Sequence, residues 1–304
     1  MNNQTTNGSK RIWAAVIDLI IFYVLMMVLT SFVIQPIVTS VTDFNQRFEV
    51  YETTLVEKKL VNKTDNGLVL AISDFDLDKV DEYDQILIDL YSDESYITEG
   101  NNGLADYINS KKAATNVFAY VEATDTFKLV GDKNAAYSFY VTAYNNALSY
   151  LYQYDQAYNE AYSTCAFYQN LIKIIGIVVA GTLVYLVMPL IFKKGKTIGK
   201  KLFKLSLSND PKEYKQIHFG QLLTRFLSIV FIEILGSQVF YYIPMIISLG
   251  TMMFTKKGFA IHDFIARTYI VDDVILAEEE KIKEDLELKD DIIEVESEEK
   301  EENN

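Results

Sequence analysis

Several ionisable residues stand where an apolar setting disfavours charge. Asp18 lies inside the apolar run 12–34, seven residues after Arg11, while Arg225 and Glu233 lie inside the run 220–254, and His262-Asp263 follows that run closely. A charge at mid-bilayer costs roughly 3 kcal/mol or more and persists only with a partner, so each residue marks a candidate site. Seven residues are nearly two helical turns, so Arg11 and Asp18 project from one face with Asp18 about 10 Å deeper. Arg225 follows Gly220 by five residues, at a similar depth on a segment running in the same direction. The spacing predicts that Asp18 and Arg225 pair. Such a pair either fixes helix register or builds a cation or proton site, with Arg11 and Asp263 as further members of a charge relay. Glu233 reads as a residue near the outer turn, facing the interface or water.

Other clusters lack ligands or spacing. His262 and Asp263 are too few to hold a metal and also suit a turn cap. Asp74, Asp76, Asp78, Asp81 and Asp84 invite a calcium reading, but the loop glycine is absent and Gln85 stands where the last ligating Glu belongs. Gly195-Lys196-Thr197-Ile198-Gly199-Lys200 does not fit Gly-x-x-x-x-Gly-Lys-Ser/Thr, and no strand precedes it. It reads as a tight turn leading into an amphipathic segment on the headgroups. With two His, one Cys and no nucleophile beside a base, the chain reads as no enzyme, and no metal or cofactor is expected.

The elements that must position these residues come from the apolar runs. The chain has 304 residues, 50% of them hydrophobic, concentrated in 12–37, 171–192 and 220–254. Runs of this length with few charges are membrane spans. The net charge of −14 hides a division: residues 40–169 hold 21 acidic and 9 basic side chains, and the tail from Asp272 holds 16 and 4. The remainder, spans and flanks, is basic, which suits anionic lipid headgroups and gives no support to nucleic-acid binding. Cys165 alone permits no internal disulfide. The first run is too long for a signal-peptide core and no Ala-x-Ala follows it, so it reads as an uncleaved anchor.

Positive flanks lie on the cytoplasmic side. Lys10 and Arg11 therefore place the N-terminus inside, and six lysines between 193 and 204 mark the return of the second span. For the third run, a hairpin turning at Gly236-Ser237-Gln238, or a re-entrant first arm, keeps Lys256, Lys257 and Arg267 inside. The expected order is 1–38, N-terminus and first span; 39–169, an acidic, Tyr-rich extracytoplasmic domain; 170–193, second span; 194–219, basic loop; 220–256, hairpin or re-entrant segment with the last span; 257–272, His-Asp segment; 273–304, an acidic cytoplasmic tail disordered beyond about Glu280. Tyr137, Tyr140, Tyr144, Tyr154, Tyr158 and Tyr162 recur at helical spacing, which predicts one long helix running unbroken into the second span. Strands are expected near 67–72 and 85–90. The fold class is an all-α membrane helical bundle of three to four membrane segments, with a mainly helical outer domain that leaves room for a small β element.

Arg11-x-x-Ala14-x-x-Ile17-Asp18 at the opening of the first span resembles the start of the RDD family of bacterial membrane proteins. Gly195-Lys196-Thr197-x-Gly199-Lys200 followed by Leu202 looks like that family's glycine-lysine loop, and Arg225 and His262-Asp263 also look like its motifs. The resemblance covers 10–34 and 171–273, implies that Arg11, Asp18 and Asp263 are the defining Arg and two Asp, and implies a multi-pass protein of the bacterial cell membrane. Members are generally short between the first two spans, so 39–169 is an unusually large insertion. Transport, including cation or proton exchange, is what the resemblance suggests. The expected function is passage of a small ion or polar solute through a bundle, as a homo-oligomer. The alternative is a membrane-anchored assembly protein whose Tyr-rich domain recognises an extracytoplasmic partner while the buried charges are structural.

Overall fold

The computed structural model describes residues 8–96, 101–210, 214–254 and 259–278. It divides into two units, Met1–Pro36 with Leu171–Asn304, and Ile37–Asn170. It is mostly helical, with three two-stranded antiparallel sheets among the described residues.

Among the described residues three helices are long and apolar enough to cross a membrane: Gly8–Val41, Gln156–Ile191 and Phe219–Val239. At 1.5 Å per residue the first two exceed a ~30 Å hydrocarbon core and the third just matches it. Pro36 does not end the first helix. A π-helical stretch, Thr30–Ile34, precedes it, and the widened ladder there accommodates the carbonyl that a proline ring would strike in a regular helix. Pro189 follows the π stretch Leu183–Val187 in the same way. The spans pack on Phe22, Ile177, Ala180, Val184, Phe226 and Val230. At Gly181 an added Cβ would lie 2.5 Å from Val230 Cγ2, so the glycine lets the second and third spans approach closely.

The third apolar run does turn back, but later than the glycine suggests. The helix continues through Gly236–Val239 and the chain reverses at Phe240–Tyr242, where Tyr241 and Tyr242 take left-handed φ of 47° and 64°. The returning helix, Ile243–Phe254, has 12 residues and reaches only about 18 Å. The short arm is therefore the second, not the first. Lys256 and Lys257, expected on the cytoplasmic side, lie outside the described residues, as does the tail from 279 on.

A strand pair settles the parity of the crossings. Leu205–Ser208, which follows the lysine-rich loop, pairs antiparallel with Tyr269–Asp272, which follows the short helix, in the register Leu205↔Asp272 to Ser208↔Tyr269. Both strands must lie on one side of the bundle, so the run between them returns to where it began. Lys10 Nζ meets Asp272 at 2.7 Å, which brings the start of the first helix to the same side. All four residues of Leu205–Ser208 are buried, so the segment after the loop is a paired strand and not an amphipathic stretch lying on headgroups.

The other unit holds the helices Phe44–Glu57, Val80–Tyr91, Gly103–Ala113 and Lys133–Tyr154, with the hairpins Val61–Thr64/Gly67–Leu70 and Phe118–Val121/Thr126–Leu129. Residues 85–90, expected as a strand, belong to a helix: Val80, Tyr83, Leu87, Leu90 and Tyr91 recur every three or four positions and are all buried. The Tyr-rich helix is not continuous. It ends at Asp155, whose backbone is extended and whose carboxylate accepts from Tyr158 N–H at 2.9 Å, capping the helix that follows. Tyr140 and Tyr144 are fully buried and Tyr158 nearly so, whereas Tyr137 and Tyr162 are exposed. Of the aspartates in the calcium pattern, Asp76 caps a short turn and Asp84 accepts from Tyr107, Tyr140 and Lys111.

Candidate functional site

The lysine-rich loop folds back into the bundle. Lys194 and Gly195 take left-handed backbone, and Thr197 then caps the single-turn helix Ile198–Leu202, its Oγ1 accepting from Lys200 N–H at 3.4 Å. That turn lies against the first span at Asp18. Thr197 Oγ1–H donates to Asp18 Oδ2 at 2.5 Å, and Gly199 N–H donates to Oδ1 at 2.8 Å. A Cβ at position 199 would stand 2.1 Å from the Ala14 carbonyl oxygen, so only glycine permits this approach. Lys200 Nζ lies 4.0 Å from Asp18 Oδ2 and 3.3 Å from Thr197 Oγ1. Burial, with Arg225 nearby, pulls the Lys200 ammonium down to about 8, against the opposing effect of Asp18 and Asp263.

The predicted Asp18–Arg225 pair gives way to two others. Depth along a helix does not fix the direction a side chain faces, and the loop supplies Asp18 with closer donors. Arg225 donates instead to Asp263 Oδ1 and, at 2.9 Å, to Thr268 Oγ1. Arg11 reaches Asp263 Oδ2 at 3.5 Å, and Ala260 N–H donates to the same oxygen at 3.3 Å. Burial alone would raise the Asp263 carboxyl, but Arg225, His262 and Arg11 outweigh it and hold it well below the usual carboxylate range.

Glu233 belongs to the same region and not to the outer turn. Only 7% exposed, it accepts at Oε1 from Ser248 Oγ at 2.8 Å and from His262 N–H at 3.1 Å, with His262 Nδ1 at 2.8 Å. His262 Nε2 is 3.7 Å from Asp263. The signal in the sequence was only that Glu233, like Arg225, is a charge inside the same apolar run. Ser248 and Thr268 carried none.

These side chains border one cavity of about 190 Å³, lined by Arg11, Asp18, Lys200, Arg225, Glu233, His262 and Asp263, by Ser248 and Tyr185, and otherwise by apolar groups. Lys196 of the loop pairs with Asp273 at the strand pair, away from the cavity lining. Among the described residues no group of His, Cys, Asp and Glu is arranged to hold a metal. The arrangement can offer hydrogen bonds in both directions from charges that already satisfy one another.

Residues 134–267 match the RDD family, so the chain carries an RDD family domain over that stretch. The match takes in the second span, the glycine-lysine loop, Arg225, the short helix and His262-Asp263. Arg11 and Asp18 lie outside it. Nothing matches among curated proteins or among solved structures.

Proposed function

We propose that this RDD family domain is a membrane carrier that takes a small polar solute or ion into the cavity bordered by the buried charges. The single observation that supports it is that cavity, in which seven ionisable side chains from the spans, the loop and the exit segment meet around a void. Charges buried only to fix helix register would be enclosed by packing. A polar solute suits the geometry better than a bare ion, because Asp18 and Asp263 accept on both oxygens and Glu233 Oε1 already takes three donors. The lysines of 193–204 would set the strand-pair side in the cytoplasm of a bacterial cell against anionic headgroups, with residues 39–169 outside. Three spans and one short helix enclose little, so a homo-oligomer is part of the proposal. The partner-recognition reading has less support, since the tyrosine stripe is largely spent on packing.

Proteoliposomes holding the full chain test it. Isosmotic swelling in a panel of small polyols, betaines and amino acids, with an entrapped pH dye, should report a solute that enters faster than in empty vesicles. The rate should collapse in the paired variant Arg225→Met/Asp263→Leu. Swelling equal to that of empty vesicles across the panel, or unchanged in the folded double variant, would overturn the carrier.

A further inference from the structure

The cavity has a mouth as well as a charged floor. Of the described residues lining it, only Ala15 on the first span and Leu249 on the short helix are exposed. The outward surfaces on either side are apolar: Ile20, Val24 and Met27 on the first span, Ile246 and Met253 on the short helix are all about half exposed or more. A mouth between two such faces opens on hydrocarbon. Behind it, Met245 and Met252 give a wall that adapts to irregular shapes. A void of this size exceeds the roughly 150 Å³ apolar cavity that admits benzene, so it holds a short stretch of hydrocarbon.

The floor is electrically balanced. Arg11, Lys200 and Arg225 face Asp18, Glu233 and Asp263, so a head with a net charge would bring an unmatched one into a dry site. A water-dissolved solute would also have to shed its hydration to pass an apolar mouth, whereas a molecule already in the bilayer would not.

We infer that the cavity takes a single-chain amphiphile from the bilayer, its first chain carbons between the methionines and an uncharged hydroxyl head against the Arg225–Asp263–Arg11 cluster. This rests on the cavity of the carrier reading and places in it a solute dissolved in the membrane, which swelling in water-soluble solutes does not report.

Photolysis of the full chain in detergent with a diazirine-bearing monoacylglycerol, followed by adduct mapping, tests it. Adducts are expected on Met245, Leu249 or Met252, and about ten-fold fewer in Ala15→Trp or Leu249→Trp, which plug the mouth from different helices. Thermal unfolding identifies a variant that fails to fold, leaving the other to decide. Adducts confined to outward residues such as Phe32 and Phe254 would overturn the inference, as would stronger cavity labelling by a diazirine fatty acid. Flux of a water-soluble solute that Ala15→Trp leaves unchanged would remove the amphiphile and keep the carrier. Cavity adducts without any flux would support the amphiphile site and remove the carrier.

Discussion

Among the described residues, carboxylates are buried against cations in both units and are surrounded differently in each. In the 37–170 unit, Asp84 accepts from Lys111, Tyr107 and Tyr140, and the Lys111 ammonium lies 4.5 Å from the Phe118 ring centre and 4.7 Å from that of Phe127. Burial and Asp84 push the Tyr107 and Tyr140 phenols far above their ordinary range, so both stay protonated donors. Rings of Tyr107, Tyr140, Phe118 and Phe127 surround most of that pair, and it acts as a clip between three helices. The charges of the membrane unit are as well paired, yet they face a void. A buried pair packed among rings is structural; the same chemistry left beside a cavity has something to meet.

That contrast can be broken most severely at Gly199. Gly199→Val should place a methine against the Ala14 carbonyl, cost about 3 kcal/mol or more, and abolish the monodisperse species in size-exclusion chromatography. Next, Asp263→Asn should leave Arg225 and Arg11 without their shared anion and lower stability by roughly 3 to 5 kcal/mol, read as a fall in the thermal unfolding midpoint in detergent. Asp84→Asn should cost less, about 2 kcal/mol, because the Asp84 side chain is 16% exposed and keeps its tyrosine donors. Apolar replacement sharpens the comparison further. Asp84→Leu/Lys111→Met should restore most of the stability and leave any transport intact, whereas Arg225→Met/Asp263→Leu, which still leaves Arg11 without Asp263, should restore part of the stability and lose transport. Equal behaviour of the two double variants in the flux assay would erase the distinction.

The smallest effect is a pH dependence. Lys200 titrates near 8 when folded and near 10.5 when unfolded, so between those values the unfolded chain binds more protons and stability rises with pH. Lys200→Met should remove that rise, measured as the difference in unfolding midpoint between pH 8 and pH 10 for the two proteins.

What could be read beforehand followed periodicity and composition. The three spans, the return of the last run and the singling out of Asp18, Arg225 and Asp263, which are all buried, came from apolar length and misplaced charge. Partner choice did not, because helical spacing gives depth and face only within one helix, whereas Asp18 is claimed by a loop almost 180 residues away. Gly236 suggested a turn that Phe240–Tyr242 makes instead, since a single glycine within a packed helix is tolerated. Residues 85–90 alternate briefly enough to mimic a strand, and only the wider window from Val80 shows the helix.

The pairing of Leu205–Ser208 with Tyr269–Asp272 also sets an order of events during synthesis. The second strand leaves the ribosome some sixty residues after the first, so the loop has no sheet partner while the third span and the short helix are being inserted. Until Asp272 and Asp273 arrive, Lys10 and Lys196 also lack their carboxylates. The last few residues before the acidic tail therefore act as the latch of the assembly, and a nascent chain stopped short of Tyr269 would hold its helices with the loop still unfastened.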